Sequence, residues 1–292
     1  MESSTQVTRV ADTRCETGEG PIWHPDEGVL FWCDIPSGRL LRYDPKRDRH
    51  ECVLDGDDAL SGVTIQEDGA LLLFRAGGRV ERFDGGSPST VATVGDAAGT
   101  RFNDVVADPK GRVFAGTMPT GDRLGRLYRF DTDGSIERVE GAYDIPNGMG
   151  YTTARDAMYV TESNAKTVYR FDYDPETGAL TRRRTFLDVR GEAGIPDGMA
   201  VDADGDVWSA RWNGSAVVRY DASATERERV RFPAAKVSSV AFGGPDYRDV
   251  YVTTAGGDDR ASEGDGAGAL FRFPAPSGVR GTAPFRSAFP TD

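Results

Sequence analysis

One short phrase occurs twice in the chain. Ile145-Pro146-Asn147-Gly148-Met149-Gly150 and Ile195-Pro196-Asp197-Gly198-Met199-Ala200 differ chiefly in the polar group at their third position. Four weaker copies complete a series that starts at Glu19, Ser61, Asn103, Asn147, Asp197 and Ser238, with spacings of 42, 42, 44, 50 and 41 residues. Each start leads into a short apolar stretch, a turn such as His24-Pro25-Asp26-Glu27-Gly28, and then an alternating strand such as Val113-Phe114-Ala115-Gly116-Thr117. A third strand ends each unit in a basic-aromatic-acidic cadence, as in Arg42-Tyr43-Asp44 and Arg129-Phe130-Asp131; the sixth copy lacks the acid. Apolar alternation at period two, broken by Asp-Gly turns, marks antiparallel hairpins. A unit of roughly 40–50 residues holding three or four such strands is one propeller blade. The repeat therefore predicts an all-β chain, a six-bladed β-propeller of four-stranded antiparallel blades. Six units use the whole length, so residues 1–292 read as a single domain. The segment 5–12 precedes the first unit and has strand character. It is expected to supply the outer strand of the last blade and close the ring.

Composition narrows the partners. The formal charge of −12 argues against nucleic acid and anionic membrane surfaces, which call for a basic face. Four of the 35 basic residues are Lys. Such an acidic, Lys-poor surface resembles that of proteins from salt-loving organisms, and an Arg- and Asp-rich coding bias accounts for it equally well. The first ten residues lack an apolar core, and no run approaches the ~18 apolar residues of a membrane span, so neither a signal peptide nor a span is expected. Cys15, Cys33 and Cys52 show no C-x-x-C spacing and read as bystander thiols, and a cytoplasmic location is expected. His24 and His50 are the only histidines. A multi-histidine metal site is thereby excluded, and neither His has the context of a catalytic base.

In a propeller the first strand of each blade lies nearest the axis, so equivalent positions at its start ring one mouth of the channel. Here that ring is Glu19, Ser61, Asn103, Asn147, Asp197 and Ser238, all polar and oxygen-bearing. Ser61 and Ser238 read as polar residues lining a wet channel; Glu19, Asn147 and Asp197 read as ligands or as strand caps. Two carboxylates and two carboxamides form a hard oxygen site suited to Ca²⁺, Mg²⁺ or Mn²⁺, with Zn²⁺ also possible chemically. Such an ion can polarise a carbonyl or acidify water, and so promote hydrolysis.

At these residues the chain resembles the regucalcin/gluconolactonase family, also called the senescence-marker and luciferin-regenerating-enzyme-like group. The motifs are GEGPIWHPDEGVLFWCDI (18–35), RFNDVVADPKGRVFAGTM (101–118), IPNGMG (145–150), IPDGMAVDADGDVWSARWNG (195–214) and AFGGPDYRDVYVTTA (241–255). The resemblance implies a six-bladed propeller with one divalent metal and hydrolysis of sugar lactones to aldonic acids. It makes Glu19, Asn147 and Asp197 the metal ligands and Arg101 and Asn103 the substrate contacts. Asp197 is also the candidate catalytic residue, as general base to the attacking water; because a metal reduces the basicity of a ligand carboxylate, the alternative of a ligand role alone stays open. The expected partner is a small sugar lactone such as a glucono- or pentonolactone, and the expected state a monomer. Two alternatives stay open: a related propeller hydrolase of other esters or phosphotriesters, and a non-enzymatic calcium-binding propeller. The chain departs from the family after Met118. Residues 118–125 run straight into the next strand, where relatives often carry a longer loop over the substrate, and Asp122 is the candidate for the acidic contact that loop can bring. Asp131-Thr132-Asp133-Gly134 and Asp202-Ala203-Asp204-Gly205-Asp206 read as hairpin turns, not calcium loops. Residues 256–269 read as a loop of the last blade. Trp212 could line the pocket or serve packing.

Overall fold

The computed structural model describes residues 6–291, the side chains of 140–142 excepted. Six antiparallel sheets of four strands each follow one another along the chain and form a six-bladed propeller. The innermost strands are Gly18–His24, Leu60–Ile65, Phe102–Ala107, Pro146–Tyr151, Ile195–Val201 and Lys236–Gly243. Each touches the innermost strands on both sides, and Gly18–His24 meets Lys236–Gly243 to close the circle. The last sheet is completed from the other end of the chain, where Thr8–Ala11 pairs antiparallel with Leu270–Pro274 in the register Thr8↔Arg272 and Ala11↔Leu270. This is the closure expected of the 5–12 segment.

The core is divided into six apolar clusters, one at each junction between blades. The junction of blades two and three, for example, packs Phe74, Phe102 and Phe130 edge to face at centroid distances of 5.3–6.1 Å. Second strands are therefore covered on both faces and read as continuous apolar runs; Val29–Asp34 is buried throughout. Outer strands such as Arg49–Leu54 face solvent and carry the charge.

Beyond Pro274 the described residues form no further strand. The chain crosses the far mouth and touches every blade. Gly281 donates to the Tyr247 carbonyl, Ala203 donates to the Arg280 carbonyl, Ser287 to that of Ile65 and Ala288 to that of Gly111. Phe285 packs on Tyr151, and Arg286 binds Asp26 at 2.6 Å.

The register of all six inner strands slips at the same level, at or beside Glu19, Ser61, Asn103, Asn147, Asp197 and Ser238. A β-bulge leaves residues unpaired and turns their side chains out of the ladder. Crowding explains the residue that follows. A Cβ on Gly148 would lie 2.4 Å from the Asp197 carbonyl oxygen, and one on Gly198 would lie 2.1 Å from Ser239 Oγ. The glycine of the doubled phrase is thus set by the next blade's backbone. Gly148→Ala is expected to lower unfolding free energy by about 3 kcal/mol, because backbone must move to admit the methyl group. A urea titration checks this; a loss below about 1 kcal/mol would show that the neck can relax.

Candidate metal centre

The bulges set the three proposed ligands at the channel neck, where Asp197 acts electrostatically on Glu19. Glu19, Asn147 and Asp197 are all buried, at 8%, 7% and 5% exposure. Asn147 Nδ2 donates to Asp197 Oδ1 across the junction of blades four and five. Ser163 ties the same two phrases by donating to the Pro196 carbonyl at 2.8 Å while lying 3.3 Å from Asn147 Nδ2. From blade three, Arg101 Nη1 donates to Asn103 Oδ1 at 2.9 Å, and Asn103 Nδ2 donates to the Pro146 carbonyl at 3.0 Å. Both side chains are half-buried. The two proposed substrate contacts are therefore linked to each other and to the residue before Asn147.

The serines of the ring separate. Ser238 donates to the Gly18 carbonyl and contacts Thr253, and so stitches the last blade to the first. Ser61 Oγ is buried and has no protein partner.

The electrostatics are those of carboxylates short of counter-charge. Burial pushes Glu19 well above the usual carboxylate range, and the charges of Asp197 and Asp104 add to this. Burial likewise raises Asp197, with Asp104 adding, against the Asn147 hydrogen bond and the Arg101 charge. Burial depresses Arg101 itself, while Glu19 and Asp197 hold it charged. Asp104 was not singled out from the sequence. Burial lifts it to about 6, and its one hydrogen bond comes from the neighbouring Val105 N–H. Its signal was present nonetheless. The residue after the ring position is Gly in blades one, two, four and five and Ser in blade six, but Asp in blade three.

This donor set fits a hard divalent cation. Buried carboxylates with few hydrogen bonds are costly unless a positive charge meets them. Among the described residues no three His, Cys, Asp or Glu are grouped to hold a metal; a cation at the neck would need an amide oxygen as well, which Asn147 could present by a half-turn about its terminal torsion. Behind the ring the channel widens into a cavity of about 820 Å³. Its lining includes Asp104, Met149 and Met199 and, from the C-terminal crossing, Arg280 and residues 282–286.

Other candidates lie apart from the neck. Asp122 is exposed and accepts a hydrogen bond from Thr120 Oγ1 at 2.6 Å within its own loop. His24 is buried near the opposite end of its strand, with Nε2 2.9 Å from the Gly69 carbonyl. Cys15 and Cys33 are buried and unpaired, and Cys52 is exposed and unpaired. Among the described residues no helix is long and apolar enough to cross a membrane.

Fold and neck together define a six-bladed propeller with an oxygen-donor centre at one channel mouth. The chain belongs to the SMP-30/Gluconolactonase/LRE-like family, whose model matches residues 17–256. It is 54% identical to the pentonolactonase XacC of Haloferax volcanii, over 91% of this chain and 94% of that one. It is 33% identical to regucalcin of Danio rerio, over 97% and 98%. Among solved structures it is similar to a calcium-binding regucalcin of Agrobacterium tumefaciens, with a TM-score of 0.89 at 26% identity and 97% coverage of each chain.

The raised carboxyls set a pH dependence. A carboxyl whose folded value lies above its unfolded value near ~4 stabilises the fold at low pH and loses that contribution as pH rises through the folded value, about 6 for Asp104. Chelator-treated protein should therefore melt at progressively lower temperature between about pH 4 and pH 8. Added divalent cation should raise the melting temperature more at pH 8 than at pH 5, because protons compete for the same oxygens. Scanning fluorimetry checks this; an equal cation effect at both pH values would place binding away from these carboxylates.

Proposed function

We propose that the protein is a divalent-metal-dependent sugar lactonase that opens aldonolactones to aldonic acids, with five-carbon lactones first among its substrates. The observation that carries this reading is the 54% identity to a pentonolactonase over nearly both full lengths. The contact of Asn147 with Asp197 at the neck, with Glu19 buried within electrostatic reach of Asp197, supports it. A lactone-hydrolysing enzyme is also what the family's description implies. In this reading residues 1–292 are one propeller domain that acts as a cytoplasmic monomer, without nucleic-acid or membrane partners.

Glu19, Asn147 and Asp197 would hold the cation, which is Ca²⁺, Mg²⁺, Mn²⁺ or Zn²⁺; the calcium-binding description of the Agrobacterium regucalcin supports a divalent ion. When bound, the cation supplies positive charge that polarises the lactone carbonyl and acidifies water. The chain's own groups do the rest. Arg101 and Asn103 bind the exocyclic oxygen and a ring hydroxyl, and their mutual hydrogen bond fixes both rotamers before substrate arrives. Asp197 takes a proton from the attacking water as the carbonyl carbon becomes tetrahedral. The Arg101 guanidinium then faces the developing oxyanion. Collapse breaks the ring C–O bond, the ring oxygen takes the proton back from Asp197, and the hydroxy acid leaves.

Acid release from arabinono-, xylono-, glucono- and galactonolactone by metal-stripped protein, with each cation restored in turn, tests the reading. Turnover above the spontaneous rate should return with metal. Asp197→Asn should lose at least about a hundredfold in kcat with a much smaller loss of metal affinity, the separation expected of a general base. Equal losses in both would reduce Asp197 to a ligand, and no turnover of any lactone would remove the lactonase reading.

A further inference from the structure

The layer immediately outside the ring is also repeated. Two residues before each ring position stand Thr17, Ala59, Arg101, Ile145, Ile195 and Lys236. All six are half-buried, as expected of side chains bordering an open mouth. Two of them are cations. Arg101 belongs to blade three and Lys236 to blade six, so in a six-fold ring they stand on opposite sides of the mouth. Two isoleucines and two small side chains fill the places between.

The Lys236 side chain is held. Its side chain is 18% exposed, Nζ lies 2.7 Å from Glu263 Oε1, and it stands 5.4 Å from the ring centroid of Trp212. Trp212 ends the second strand of blade five and pairs with Ile195, two residues before Asp197. Gly257 passes so close that a Cβ there would lie 2.9 Å from Nζ. Glu263 is held in turn by its backbone, whose carbonyl accepts from the Ala235 N–H at 2.7 Å. A cation, an indole face and a carboxylate from three separate segments thus meet at one edge of the mouth. An ammonium and a carboxylate offer donors and an acceptor to hydroxyl groups, and an indole face offers apolar area to C–H groups.

We propose that Lys236, with Trp212 and Glu263, forms the far wall of the substrate pocket and reads the polyol end of the lactone, opposite the carbonyl end held by Arg101. This rests on the lactonase reading for its substrate, and it makes Lys236 a specificity-determining residue rather than a catalytic one. On the blade-three side Asp122, in the connection after Met118, is exposed and engaged by Thr120 within its own loop, so discrimination by chain length falls to the blade-six side. There the ammonium donates to a terminal hydroxyl while Glu263 keeps it in place.

The test compares five- and six-carbon lactones in Lys236→Ala, Lys236→Arg and Glu263→Gln proteins loaded with metal. Lys236→Ala should raise KM about tenfold, the loss of one charge-assisted hydrogen bond, with a smaller change in kcat. It should also shift the five- to six-carbon ratio of kcat/KM by at least about fivefold. Lys236→Arg should recover part of the KM. Glu263→Gln, which loosens the loop but leaves the ammonium, should shift the ratio without a tenfold rise in KM. If Lys236 only ties down the loop, Lys236→Ala and Glu263→Gln will lower the melting temperature alike and leave KM and the ratio unchanged, and the proposal falls. If the parent protein opens no lactone, the lactonase reading fails instead. The wall is then read from xylitol binding by calorimetry: affinity weakened at least about fivefold in Lys236→Ala supports it, and unchanged affinity or no binding by the parent overturns it.

Discussion

The neck of the channel governs the rest of this molecule. Six inner strands converge until the backbone of one blade lies within a methyl group's reach of the next. Regular pairing cannot continue through that contact with side chains of ordinary size. Each strand slips register there, and in four blades the residue after the slip is glycine. The slip turns a polar side chain out of its ladder, and the glycine lets the adjacent strand approach. A requirement of packing thus produces a ring of converging oxygens. The doubled phrase is one such turn used by neighbouring blades, with an amide in one copy and a carboxylate in the other.

The ring's electrostatics follow from the same crowding. Strands packed this tightly exclude water, so Glu19, Asp197 and Asp104 share a poorly solvated space with Arg101 as the nearby cation. Three carboxylates against one guanidinium leave an excess of two negative charges. A divalent ion would neutralise it, and this accounts for retaining groups that burial makes costly. The C-terminal crossing contributes on the other side. By touching all six blades it lies across the far mouth and walls the cavity behind the ring.

Much of this was legible in the chain. Turn chemistry and period-two alternation gave six units, and the strand character of 5–12 gave the closure, because both signals are local. The ring was legible because equivalent positions in a repeat occupy equivalent places around an axis. Arg101, and the substrate-contact role of Asn103, came from resemblance to a family, and the structure adds the hydrogen bond that joins them. Asp104 and Lys236 passed unnoticed. Asp104 is remarkable only against the small residues at the same place in the other blades, and Lys236 only against Arg101 three blades away. Each comparison requires knowing which level of the barrel a residue occupies. The crossing of residues 275–291 left no periodic signal, since its hydrogen bonds are scattered over five blades, with a ring contact to the sixth, and do not form a ladder with one neighbouring strand.

By itself, the sequence determined the number of blades, the identity of the polar group each offers to the axis, and the way the ends join. All three depend on patterns within about fifty residues or on their repetition. Tertiary structure decided which offered groups meet. Ser238 was drawn into a seam between the last and first blades, Asn147 and Asp197 were brought into direct contact, and Lys236 was laid against Trp212 and Glu263. These outcomes depend on how closely the strands approach and on where each bulge turns its residue. Both are fixed only when all six blades pack around the same axis.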